Sequence, residues 1–313
     1  MKKTIPPTNT PRGTVTPSST ITPRDANIPP AFNIIGLLLT IAVSYLSITG
    51  LFNHNTMSLQ SARYPSLFTP APWAFSIWGL IYLGLAGFVI FQARNNPEAA
   101  ELRSQIRSWF LLSCFANSCW VIAWMYDLAI LSILLMVILL FSLFMIILRT
   151  DMELTDPPLR TIAFVWWPFC LYSGWITVAL LANIAAVLGR QTTLQPVAAG
   201  HQPTLQTAVP ILLQPEPLAI VLTLVAGLIY LTMTWLRNMR EYALVGAYAL
   251  VAVGVADLHR SPAVIPHPSA VVINLPPSHA VSTTTFIIAG ILFLSSSYHA
   301  YKNRAYSPFR KRS

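Results

Sequence analysis

Phe75, Trp78 and Tyr82 fall at positions i, i+3 and i+7, a spacing that puts three rings on one face of an α-helix. Asn117, Trp120 and Trp124 share a second helical face. Pro168, Tyr172, Trp175, Ala179 and Asn183 follow at i, i+4, i+7, i+11 and i+15 on a third. Such stripes suit recognition of a flat apolar molecule, because aromatic pairs gain about 0.5–1.5 kcal/mol beyond their burial. An asparagine amide could meet a polar edge of that molecule.

Plainer accounts stand beside this one. Trp and Tyr collect at headgroup level in membrane proteins, which suits Trp109, Trp166 and Trp235 and competes evenly for Trp73. Trp78 and Trp175 lie deeper in their segments, where a shared cavity or ordinary helix packing would place them. For Asn117 and Asn183, an interhelical hydrogen bond worth about 0.6–2 kcal/mol competes with ligand contact.

No Asp, Glu, Lys, Arg or His falls in the middle of a predicted span. Proton pumps, voltage sensors and most ion-coupled transporters need such groups. An intramembrane site here would also lack the usual acids, bases and nucleophiles, so no catalytic residue is assigned. His259, His267 and His279 share one loop without metal-ligand spacing, and no metal is expected. His299 is expected to be solvated or at headgroup level. Cys114, Cys119 and Cys170 all lie in spans, so a disulfide framework is not expected.

The elements that carry these rings are membrane helices. The chain of 313 residues is 55% hydrophobic and 9% charged, against roughly 25% charged in a soluble domain. A span needs about 20 apolar residues, and eight segments qualify or nearly so: 31–52, 74–93, 106–126, 128–148, 161–188, 217–236, 240–256 and 284–301. The run 106–148 must be two spans, since as one helix it would extend roughly 65 Å; Asp127 marks the turn.

Eight spans with a cytoplasmic N-terminus put 16 of the 19 basic residues inside and leave Arg63, Arg190 and Arg260 outside, as the positive-inside rule requires. The net charge of +9 then follows the face that meets anionic lipid, and nucleic acid is not an expected partner. The expected organisation is a disordered Thr/Pro-rich cytoplasmic tail (1–30), a five-helix core rich in Trp (31–188), an external loop (189–216), a three-helix extension (217–301) and a basic cytoplasmic tail (302–313). No amphipathic leader precedes the first span, and a bacterial cytoplasmic membrane is the expected location.

The run from Pro65 to Tyr82, with Pro70, Trp73, Phe75, Trp78 and Tyr82, resembles the P-P-x-W-x-F-x-x-x-W-x-x-x-Y type signature of the translocator / tryptophan-rich sensory protein family (TspO/MBR). Asn117 with Trp120 is similar to that family's L-N-x-x-W, and Gly174 to Asn183, GWITVALLAN, to its W-x-[ST]-x-A-x-x-x-N. Ala71 and Ile77 replace family prolines, Pro168 lies seven rather than four residues before Trp175, and the last three helices have no counterpart in five-helix members. The chain thus resembles a longer, divergent branch.

The resemblance implies a five-helix bundle whose cavity lies under the loop joining the first two helices. That cavity would bind a porphyrin or other tetrapyrrole, a sterol or another planar apolar ligand, with no cofactor required. Trp73 and Phe75 would form the mouth, and Trp78, Tyr82, Trp120, Trp124, Tyr172 and Trp175 the lining; loop 53–73 would be the lid. A sensory or regulatory binding role is expected, with a small-molecule or lipid transporter and a ligand-free scaffold as the alternatives. Membrane lipid and a hydrophobic small molecule are the expected partners. A homodimer could form through Gly79, Gly84, Gly87, Ala243 and Ala247, small residues that permit close helix approach.

Overall fold

Apolar runs without charge give the chain its architecture, an all-α membrane protein. The computed structural model describes residues 29, 31–94, 97–193, 211–260, 263–265, 271–273 and 275–302. The expected disordered tail, most of the 189–216 loop and nearly all of the basic C-terminal tail lie outside these residues.

Among the described residues there are eight apolar helices: α1 (Ala31–Leu46), α3 (Ile77–Gln92), α4 (Pro97–Met125), α5 (Ala129–Arg149), α7 (Trp167–Thr193), α8 (Pro215–Arg237), α9 (Arg240–Leu258) and α10 (His279–Lys302). Two short helices, α2 (Met57–Ala62) and α6 (Leu159–Thr161), sit in connections. Seven helical stretches are long and apolar enough to cross a membrane, and α1 is the shorter eighth. Their outward faces carry Leu38, Leu83, Ile130, Leu228 and Leu294, all exposed, the surface that lipid rather than water covers.

The first span is shorter than its hydropathy predicts. At 16 residues it rises only roughly 24 Å. Beyond Leu46, the hydroxyls of Ser47 and Thr49 donate back to the carbonyls of Ser44 and Leu46, competing with the helical ladder. Gly50 then takes a left-handed conformation (φ 81°), and the chain does not resume the helix.

Pro168 accounts for another irregularity. Having no N–H, it leaves the i−4 carbonyl at Phe164 without its ladder partner, and residues Ile162–Trp166 form a π-helical turn. That turn changes which side chains face inward. Trp166, expected in an interfacial belt, is therefore buried at 3% exposure. Helix α3 approaches the bend closely: a Cβ on Gly84 would lie 3.2 Å from the Pro168 ring, and one on Gly87 3.0 Å from Phe164.

Ala243 and Ala247 are buried within the protein. With Gly84 and Gly87, these small residues serve packing inside one chain, and among the small residues proposed for a dimer Gly79 alone has open space around its Cβ position.

Polar side chains tie the helices together. Asn33 of α1 donates to Gln92 of α3 (2.7 Å), Tyr230 of α8 donates to the Gly174 carbonyl of α7 (2.6 Å), and the Thr177 and Tyr242 hydroxyls join α7 to α9 (2.6 Å). The loop after α9 contains a short antiparallel hairpin, β1 (Ala263–Ile265) with β2 (Val271–Ile273), in which Val264 faces Val272. Its β-branched residues favour strand over helix. His299 is buried edge-on to Trp235, centroids 5.1 Å apart, rather than solvated.

Candidate functional site

The aromatic stripes of α3 and α7 meet each other. Before α3, residues Pro72–Ser76 form a 3-10 turn opened by Pro72, whose fixed φ suits the first helical position. The turn directs Phe75 edge-on to Trp175 of α7 (centroids 5.6 Å, 83°). One helical turn further on, Trp78 stacks on Tyr82 (5.4 Å, 28°) and meets Tyr172 edge-on (5.8 Å, 67°). Tyr172 and Trp175 are buried, Trp78 and Tyr82 partly so, and Phe75 is exposed.

Helices α1 and α4 close the group. The Tyr82 hydroxyl pairs with Ser44 Oγ of α1 at 2.7 Å. Asn117 of α4 stands close to that hydroxyl and is 1% exposed, yet neither its Oδ1 nor its Nδ2 completes a hydrogen bond. The indole Nε1 atoms of Trp120 and Trp175 are likewise buried without an acceptor. A buried polar atom left unpaired costs about 1–3 kcal/mol. The Trp175 N–H and the Asn117 amide, without partners at these rings, and the Trp120 N–H one turn along α4 from Asn117 are the chemistry with which a flat molecule bearing polar edges could be held.

Three predicted residues lie elsewhere or do something else. Trp124 packs on Tyr64 (4.7 Å) in a separate buried cluster with Ala186 and Val187. It lies one turn beyond Trp120, where α4 meets the lid and not the rings. Asn183 accepts from Ser132 Oγ (3.2 Å) and donates to the Met136 sulfur (3.2 Å), so it is occupied by the α5–α7 contact. Trp73 is exposed and turns its ring edge-on to Tyr248 of α9 (5.4 Å, 79°).

Loop 53–73, expected to be a lid, is a folded strap. Thr56 caps α2, its hydroxyl accepting from the Leu59 amide. Gln60 donates to Asp127 Oδ1 (3.1 Å), and the Tyr64 hydroxyl donates to the same oxygen. Asp127 sits at the α4–α5 turn with φ 63°, a conformation Asp tolerates better than most residues. Ser44, Tyr64, Asp127 and Tyr248 were missed from sequence; only the proximity of Asp127 to a predicted turn hinted at a role.

At the other end of the bundle, a cleft of about 490 Å³ opens between Glu101, Gln105, Arg149, Asp151 and Trp166. Beside it, Asn238 donates to the Glu153 carbonyl (3.2 Å) and Arg237 to the Ile147 carbonyl (3.3 Å), joining two connections on that face. Burial, aided by the Glu241 carboxylate and opposed by Arg240, pushes the Glu153 carboxyl up to about 8. Among the described residues no cluster of His, Cys, Asp and Glu could hold a metal ion.

Compared with curated proteins and with solved structures, the chain has no match. The family model described as TSPO-like protein matches residues 30–298, running through the last three helices as well as the five that carry the motifs. With the match spanning all eight apolar helices, the chain belongs to the TSPO-like protein family.

Proposed function

We propose that this integral membrane protein binds a planar hydrophobic ligand of the porphyrin or sterol class at the rings of α3, α4 and α7, in a sensory or regulatory role without catalysis. The observation that carries the reading is the unpaired, buried Asn117 amide close to the Tyr82 ring, in a group of rings that includes the partnerless indole nitrogen of Trp175. Flat π-systems offer faces for Trp78 and Tyr172, and their polar substituents offer partners for the orphaned atoms. The charge bias supports a reading with both termini on the cytoplasmic side and loop 53–73 outside, and a bacterial cytoplasmic membrane is part of the same proposal.

Titration of the detergent-purified protein with protoporphyrin IX, read as tryptophan quenching, tests this. Saturable quenching that weakens at least tenfold in affinity in the Trp78→Phe, Trp175→Phe double variant is expected. Unchanged affinity in that variant removes the rings from the site. Flux of the porphyrin into proteoliposomes would replace binding by transport, and absence of any saturable ligand would leave a scaffold.

A further inference from the structure

The strap over the rings is held from two sides, and the second side belongs to the last three helices. Asp127 anchors Gln60 and Tyr64 on the core side. On the other, the Ala71 amide donates to the Ala252 carbonyl of α9 (3.0 Å) and the Tyr248 hydroxyl donates to the Ala74 carbonyl (3.2 Å). Trp73 covers Tyr248, and the Arg260 guanidinium donates to the Ser66 carbonyl (3.0 Å).

Arg260 is itself positioned. Its Nε lies 3.6 Å from Asp257 Oδ1. Asp257 is fully buried, and its other oxygen accepts from the Ser278 amide (3.0 Å) at the start of α10. The Ser278 hydroxyl donates to Glu216 in the first turn of α8 (3.0 Å). A continuous polar chain thus runs from α8 through α10 and α9 to the strap, with Glu216, Asp257 and Arg260 as its charged members. A five-helix core alone would keep the strap's contacts with Asp127, Trp124 and Trp175 and lose those with Ala252, Tyr248 and Arg260.

We propose that α8–α10 form a latch on the mouth of the aromatic site: Tyr248 and Arg260 act as positioning residues that keep residues 66–74 closed beside Phe75 and Trp175, and their release admits the ligand. The ligand half of this statement rests on the binding reading above; the latch itself does not. Tyr248 and Arg260 then set how fast a planar ligand enters and leaves, while the rings set how tightly it is held.

Hydrogen exchange of the full-length protein, with stopped-flow protoporphyrin IX quenching, separates the two. Tyr248→Phe and Arg260→Ala are expected to speed exchange of the amides in 66–76, Ala71 above all, about tenfold, the factor for roughly 1.4 kcal/mol. Exchange in α4 and α7 stays as in wild type. Association and dissociation of the porphyrin both accelerate by a similar factor with affinity within about twofold, and Arg260→Lys restores part of the slow exchange. Tyr248→Phe removes a single hydroxyl, so a folding defect in Arg260→Ala leaves the test intact.

Exchange in 66–76 that matches wild type in both variants overturns the latch. Faster exchange with unaltered porphyrin rates overturns its control of access. If wild type shows no saturable quenching, the ligand reading fails, and exchange alone decides: acceleration confined to the strap supports the latch, and its absence overturns it.

Discussion

The ring of Tyr230 occupies the space that a side chain at Gly246 would need: a Cβ there would lie 2.5 Å from the ring carbons. Helices α8 and α9 touch at this point while the Tyr230 hydroxyl reaches across to α7. Gly246→Ala forces the ring to move from a fully buried site, and overpacking of this kind costs about 1–3 kcal/mol. Thermal unfolding in detergent should show the loss. Gly290, with nothing within 4 Å of its Cβ position, serves as the control, and its replacement by Ala should be neutral or stabilising by up to about 1 kcal/mol.

The two asparagines should separate by experiment. Asn183→Leu breaks bonds to Ser132 and Met136, so stability should fall by about 0.6–2 kcal/mol with porphyrin affinity unchanged. Asn117→Leu breaks no completed hydrogen bond. Its stability should hold or rise, since an unpaired buried amide is itself costly, while affinity falls about fivefold or more, the worth of roughly one hydrogen bond to the ligand. Paired melting curves and titrations distinguish the two outcomes.

Trp124 should behave as a residue of the lid seat. Removing part of its contact with Tyr64 in Trp124→Phe is expected to cost about 1 kcal/mol of stability. Porphyrin affinity should remain within about twofold of wild type by fluorescence titration. A large loss of affinity would return Trp124 to the ligand site.

Glu153 should make stability depend on pH. Its carboxyl titrates at about 8 in the folded protein against an ordinary value of 4.5, so between those values the folded state holds a proton that the unfolded state releases. Stability from this group is therefore fully present below about pH 4.5 and is lost as pH rises through about 8. Melting temperatures across pH 5 to 9 should fall for wild type and fall less for Glu153→Gln.

Much of the membrane architecture was legible because burial in lipid demands long uncharged helices, whatever they pack against. The ring stripes were legible for a similar reason: Phe75, Trp78 and Tyr82 share a face through local helical periodicity alone. What periodicity cannot say is which neighbour that face meets. Trp124 shares a stripe with Trp120 and yet seats the lid, and Asn183 shares one with Trp175 and yet bonds α5.

Sequence alone therefore determined the eight apolar segments, their charge bias and the motifs that mark the family, all of which arise from composition or from spacing within one helix. Tertiary structure decided the rest. The π-helical turn that buried Trp166 rests on how the chain rebonds around Pro168, and the early end of α1 on competing hydroxyls and a left-handed glycine. The clasp of Tyr248 and Arg260 on the strap joins residues more than 170 positions apart, and no local pattern encodes a contact whose partners meet only when the helices have packed.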